Sequence, residues 1–156
     1  MKISWLTIYN LVLGLWIGGM AIFTFIITPA IFKSYRRDLA GEIVGKLFPG
    51  YFLYVLVLTT LAFIIFFTVS QGALNPTARL SFALLVLALL LNTYIAFKLH
   101  PDAVRVKSQI TSFESESPDS PARKKFARLH AASATLNLVI FADGIVLLLL
   151  GPTLKK

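Results

Sequence analysis

Two histidines and one aspartate stand out in this sequence, because each falls in or beside a long apolar stretch where a titratable side chain is costly. His130 is followed by Ser133 and Asn137 at positions i+3 and i+7, which share one face of a helix. His100 lies at the end of another apolar stretch. Two such imidazoles could ligate a haem b or contribute to a metal site. Asp143, inside the last apolar stretch, could bind a proton or an ion.

Polar side chains elsewhere in the apolar stretches extend the motif at His130. Counting 1.5 Å per residue from the helix ends places Thr24 and Asn92 at the same depth as Asn137. The sequence therefore predicts a polar seam between helices 1, 3 and 4, with Ser133 beside it and His130 at its end. The alternative is that these side chains only hydrogen-bond one helix to the next and hold the bundle together.

Several reaction classes lack their residues in this chain. There is no cysteine, which excludes disulfides, thiolate metal sites and cysteine nucleophiles. The sequence also has no Ser-His-Asp order, phosphate-binding loop, HExxH motif or pair of catalytic carboxylates. We therefore favour a protein that is not an enzyme, and leave enzymatic activity open.

The elements that must position these residues are membrane-spanning helices. Residues 3–32 and 47–78 carry no charge, hydrophobic residues make up 57% of the chain, and the mean hydropathy is +0.79. About 20 apolar residues cross a bilayer as a helix, and continuous rather than alternating apolar runs exclude spanning strands. The prediction is one all-α domain over residues 1–156, an integral membrane four-helix bundle with spans at about 4–32, 48–71, 78–99 and 127–150.

Basic residues predict the orientation of this bundle. Loops 1 and 3 hold 11 of the 15 lysines and arginines. The positive-inside rule then places both loops in the cytoplasm and both termini on the outer side of the plasma (inner) membrane. The net charge of +8 is interpreted as basic side chains that face the lipid headgroups. The expected partner is therefore the lipid bilayer, and nucleic-acid binding is not expected. A homo-oligomer or a larger membrane complex is left open.

The two basic loops differ in their patterns. Leu39, Ile43 and Leu47 recur at helical spacing in loop 1, which predicts a short interfacial helix there. Loop 3 contains a stretch from Thr111 to Pro121 that is rich in serine, proline and acidic residues. This composition predicts a flexible loop over residues 108–122.

Three segments resemble a known family: WIGG from Trp16, LFPGYF from Leu47, and FARLHAASATLNL from Phe126. On these, nearly the whole chain resembles the transmembrane protein 205-like family. The resemblance implies a four-helix integral membrane protein whose activity is not established, with a reported link to platinum-drug resistance in animal members. The family is also distantly similar to membrane proteins of copper resistance and to haem-pathway enzymes.

Three functional hypotheses follow from the sequence. The first is a non-enzymatic membrane module that binds a small ligand, a lipid or a partner protein through the cytoplasmic end of helices 1, 3 and 4. The second is a membrane redox protein that binds haem b or a metal through His130 and His100; which metal is unknown. The third is a proton- or ion-coupled carrier that works through Asp143.

Overall fold

Four long helical rods make up the structure, a computed structural model that describes residues 4–70 and 75–151. Within those residues every regular element is helical, which confirms the all-α prediction. Each rod is long and apolar enough to cross a membrane, so the chain is an integral membrane protein. The rods are span 1 (Trp5–Ser34), span 2 (Arg37–Ser70), span 3 (Pro76–Lys107) and span 4 (Pro121–Leu150).

Spans 2 and 4 are single helices, α3 (Arg37–Ser70) and α6 (Pro121–Leu150). Spans 1 and 3 each consist of two α-helices joined by a wider π-helical segment. In order these are α1 (Trp5–Ala21), a first π segment (Ile22–Ile27), α2 (Thr28–Ser34), α4 (Pro76–Tyr94), a second π segment (Ile95–Leu99) and α5 (His100–Lys107).

A proline follows each π segment closely and accounts for it. Pro29 and Pro101 have no backbone N–H, and their rings crowd the preceding turn of the helix. The N–H of Thr28 bonds to the carbonyl of Phe23, and the N–H of His100 bonds to that of Ile95. These five-residue steps widen the turn before each proline, so both rods continue past it.

The four spans form a ring in which α3 and α6 each pack against both α1 and α4. The interior is apolar, and Tyr9, Trp16, Leu85, Ile140 and Leu147 are fully buried in it. The outside is apolar as well. Side chains exposed by half or more include Leu11, Phe25, Leu90, Phe97 and Leu149. An apolar exterior on helices of this length fits a bundle that faces lipid rather than water.

Loop 1 does not form the separate interfacial helix that the sequence predicts. Residues 37–47 are the first turns of α3, which continues through Pro49 without a break. Ala40 and Val44 are buried against the rest of the bundle, whereas Leu39 and Leu47 of the predicted apolar face are exposed. The segment is helical, as its spacing predicts, but the helix packs into the bundle and joins span 2.

We use "basic end" for the end of the bundle formed by α2, the start of α3, α5, the loop between α5 and α6, and the start of α6. Loop 3 is tied to α3 there. The Asp38 carboxylate accepts hydrogen bonds of 2.6 Å from the Ser112 hydroxyl and the Phe113 backbone N–H. Arg36 forms an ion pair with Glu114. The flexibility of residues 108–122 stays a prediction.

Candidate functional site

A cavity of about 400 Å³ opens at the basic end and is lined by residues of all four spans and of loop 3. We call it the basic-end cavity. Its lining combines five phenylalanines, four basic side chains, both histidines and Ser133, and includes no acidic residue. The phenylalanines are Phe32, Phe48, Phe52, Phe113 and Phe126, and the basic residues are Arg37, Lys107, Arg123 and Lys124.

Aromatic contacts build two walls of this cavity. On one side Phe48 and Phe52 stack with ring centroids 5.4 Å apart, and both contact the imidazole of His100, at 5.7 and 5.2 Å. On the other side Phe126 stacks on His130 at 5.9 Å and contacts Phe113 at 5.2 Å. Each histidine is therefore held by rings from its own wall.

The two histidines that the sequence singles out thus line the same cavity. His100 is half-buried, because the second π segment and α5 turn it toward α3, and His130 near the start of α6 is more exposed. Among the described residues no group of three or more His, Cys, Asp or Glu side chains is placed to hold a metal ion. A site built from these two imidazoles would need a ligand that brings its own coordinating atoms.

The basic side chains are positioned by contacts with the helices around them. Lys107, at the end of α5, donates a hydrogen bond of 2.6 Å from Nζ to the carbonyl of Gly41. The Lys107 ammonium group lies over Gly41 and Gly45, where an added Cβ atom would make an ordinary van der Waals contact with it. The Arg123 guanidinium lies 5.6 Å from the centroid of Phe113, a cation–π geometry.

Two of the residues predicted for the polar seam, Thr24 and Asn137, take part in hydrogen bonds that join spans 1, 2 and 4. The Tyr51 hydroxyl donates to Asn137 Oδ1 at 2.7 Å, and Asn137 Nδ2 donates to Thr24 Oγ1 at 3.2 Å. Tyr51 also stacks on Phe23 at 4.2 Å. Sequence reasoning missed Tyr51, since a tyrosine near the end of an apolar run is usually an interfacial anchor.

Ser133 and Asn92, the other residues predicted for the seam, lie apart from these bonds, as does the intramembrane acid Asp143. Ser133 lines the basic-end cavity. Asn92 on α4 is 4% exposed, and its Nδ2 has no hydrogen-bond partner among the described residues. Asp143 on α6 is 5% exposed, and neither of its carboxylate oxygens has such a partner in that part of the chain. These two buried polar groups are separate from the cavity.

Comparison with known families gives one match. A family model described as a domain of unknown function, DUF4149, matches residues 11–112, about two thirds of the chain. The chain belongs to the DUF4149 family. No curated protein and no solved structure matches it. The matched region of this DUF4149 protein contains Asn92 and His100, whereas His130 and Asp143 lie beyond it.

Proposed function

We propose that this DUF4149 protein is a non-enzymatic membrane module that binds an anionic lipid in the basic-end cavity. The observation behind this proposal is the lining, which places five phenylalanines and four basic side chains around one space and no carboxylate. Such a lining suits a ligand that is apolar at one end and negatively charged at the other.

Size and chemistry both support a lipid headgroup with the start of its acyl chains. Binding sites for small molecules usually measure about 300 to 1,000 Å³, and the basic-end cavity measures about 400 Å³. Arginine and lysine bind phosphate oxygens through charge-assisted hydrogen bonds, and phenylalanine rings offer apolar surface to the chains. Lys107 and Arg123 stand on different spans, so a phosphate between them would join α5 to α6.

The position of the cavity along the bundle supports the same ligand. It lies where the charge-free stretches end and the basic residues begin, the depth of lipid phosphates in a bilayer. We infer from the basic loops that this end is cytoplasmic and that the membrane is the plasma (inner) membrane. The cytoplasmic leaflet carries anionic lipids, which a basic cavity attracts.

The test is lipid-dependent thermal stability of the purified protein. We expect phosphatidylglycerol micelles or nanodiscs to raise the unfolding temperature above that in phosphatidylcholine, because a ligand that binds only the folded state stabilises it. The double substitution Lys107→Gln and Arg123→Gln should remove most of that difference. Native mass spectrometry should show phosphatidylglycerol retained by the wild type and lost by the double variant.

Lys125→Gln is the matched control. Lys125 is exposed, lies next to the cavity residue Lys124 and does not line the cavity. It should keep the preference for phosphatidylglycerol. Equal stabilisation by both lipids, or an equal loss in the control and the cavity variants, would overturn the proposal and leave only general attraction of a basic surface to anionic headgroups.

A second candidate function is binding of haem b, favoured by the presence of both histidines on one cavity lined by basic residues. In this proposal His130 and His100 would ligate the iron, and Lys107 or Arg123 would pair with the propionates. Oxidised and dithionite-reduced visible spectra of protein purified in mild detergent test it. A Soret band that disappears in His130→Ala would support haem binding, and a colourless preparation that stays colourless after addition of haemin would exclude it.

Membership of the transmembrane protein 205-like family stays a proposal beside these. It is supported by the motifs at Trp16, Leu47 and Phe126, which fall at the interior of span 1, the wall of the cavity and the start of α6.

A homo-oligomer or a larger complex also stays a proposal, which the mass of the purified particle would decide.

A further inference from the structure

Asp143 and Asn92 are buried polar groups that the protein leaves unsatisfied. Both Asp143 oxygens and the Asn92 Nδ2 are without a hydrogen-bond partner among the described residues. Both side chains are more than nine-tenths buried. Buried polar groups are nearly always paired, and a charge inside a membrane span is costly, so each of these groups calls for a ligand that the protein chain does not supply.

Contacts along the spans place the two residues at one depth. Tyr51 bonds to Asn137, and the His100 ring packs between Phe48 and Phe52, so Asn137 and His100 lie at nearly the same level of α3. Asp143 comes six residues after Asn137 on α6, about 9 Å further from the basic end at 1.5 Å per residue.

Asn92 precedes His100 by eight residues on span 3, about 12 Å in the same direction. The two residues therefore lie within roughly one helical turn of each other along the bundle. They stand on α6 and α4, helices that pack together, and both side chains point inward. Gly144, beside Asp143, faces Trp16 and Ile17 near the middle of span 1. The pair is thus close to the middle of the membrane.

No basic side chain balances the Asp143 charge in the described part of the chain. On α1 the titratable residue is Tyr9, which is buried and close enough to interact electrostatically with Asp143. The titratable residues of α4 are Arg79 and Tyr94, and both are exposed. The charged residues of α5 and of the second π segment lie at the basic end. On α3, Tyr51 and Tyr54 donate their hydroxyls to other acceptors.

We propose that Asp143 is a reversible proton-binding site in the middle of the membrane, and that Asn92 orients its neutral carboxyl group through a bridging water molecule. A proton from bulk water forms an O–H bond with one carboxylate oxygen and cancels the negative charge. The water accepts from Asn92 Nδ2 and donates to the other oxygen, which satisfies those two groups. The carboxyl O–H can donate to the hydroxyl oxygen of nearby Tyr9, which also lacks a partner among the described residues. A metal cation would meet the Asn92 donor instead of an acceptor, and in the described part of the chain no group of three or more His, Cys, Asp or Glu side chains is placed to hold one.

Infrared spectroscopy of the protein in nanodiscs tests this site, independently of lipid binding. A protonated carboxylic acid has its own C=O band, and the chain has only seven acidic residues, six of them at the basic end. We expect a carboxylic band that disappears as pH rises and shifts in heavy water. Asp143→Asn should abolish the band and Asn92→Leu should shift its frequency, whereas Asp119→Asn, in an exposed ion pair, should leave it unchanged.

Asp143→Glu secures the assignment if the asparagine variant does not fold, because a glutamic acid should move the band rather than remove it. A band that persists at all pH values and ignores heavy water would overturn the proposal in favour of a permanently neutral acid. A carboxylate band at every pH, together with greater thermal stability of the protein in sodium than in choline, would also overturn it. That result would indicate a metal cation in place of the proton.

Discussion

Tyr51 donates a 2.7 Å hydrogen bond to Asn137 and so joins span 2 to span 4. Asn137 Nδ2 in turn donates a hydrogen bond to Thr24 Oγ1 on span 1, so one amide connects three helices. In a membrane the apolar surfaces of helices gain little by leaving lipid, and hydrogen bonds and close packing hold bundles together. These bonds lie just beyond the basic-end cavity and fix the spacing of three of the spans that line it.

Replacing the hydroxyl of this bond should weaken the bundle measurably. Tyr51→Phe keeps the ring on Phe23 but leaves Asn137 Oδ1 without its donor, so we expect a loss of about 1 kcal/mol in the free energy of unfolding. A double-mutant cycle with Asn137→Leu should give coupling of that order. Tyr94→Phe, at an exposed position on α4, should be neutral. Equal effects of the two tyrosine substitutions would contradict the role given to Tyr51.

Glycine at position 19 allows a close contact between spans 1 and 2. The Tyr54 ring lies where a side chain at Gly19 would be, and its hydroxyl donates to the carbonyl of Leu15 at 2.5 Å. Gly19→Ala should therefore push the exposed ring away and break this hydrogen bond, at a cost of about 1 kcal/mol. Gly14→Ala is the control, since nothing lies within 4 Å of a side chain there. Thermal unfolding of both variants decides, and equal stability would refute the contact.

How far the sequence predicts this fold depends on the range of the interactions involved. Spans and their number follow from charge-free runs, because the bilayer imposes a minimum length on each helix. The π segments do not follow, since Pro29 and Pro101 could equally end a helix or kink it. Loop 1 joins α3 because Ala40 and Val44 are buried against neighbouring elements, which the spacing of Leu39 and Ile43 could not reveal.

For the site, the sequence predicts the residues better than their partners. Counting residues from the helix ends predicts one depth for Thr24 and Asn137, and the two side chains are hydrogen-bonded. Counting depth does not tell which helices are neighbours, so it cannot identify Tyr51 of span 2 as a partner or separate Asn92 from these bonds. The cavity could not be predicted at all. Its lining combines Phe48 of α3 with Phe113 of loop 3, residues brought together only by tertiary packing.

Loop 3 should depend on Asp38 for its position over the cavity. Asp38→Ala removes the acceptor for both the Ser112 hydroxyl and the Phe113 N–H, so the loop should open and its amides should exchange hydrogen faster. Glu42→Ala is the control, since Glu42 pairs with Lys46 on the same helix and its other charged neighbour, Lys107, belongs to α5 rather than to the loop. Exchange rates of residues 108–120 by mass spectrometry should rise in the first variant alone.

Acid should release the same loop through Glu114. The hydrogen bond from Arg36 holds the pKa of the Glu114 carboxyl below its ordinary value, and the charge of Arg36 adds to this. A carboxyl with a lowered folded-state pKa contributes stability above its unfolded pKa and loses it as the pH falls through the folded value. We therefore expect faster hydrogen exchange in loop 3 only when the pH falls below the ordinary range of a glutamate. Glu114→Gln should exchange fast already at neutral pH and lose the part of the acid response that comes from this ion pair. The part that comes from Asp38 should remain, because the hydrogen bonds from Ser112 and Phe113 hold the pKa of that carboxyl below its ordinary value as well. The exchange rates are first corrected for the intrinsic pH dependence of exchange. If the wild-type loop is then as protected in acid as at neutral pH, the Asp38 hydrogen bonds hold the loop without this ion pair.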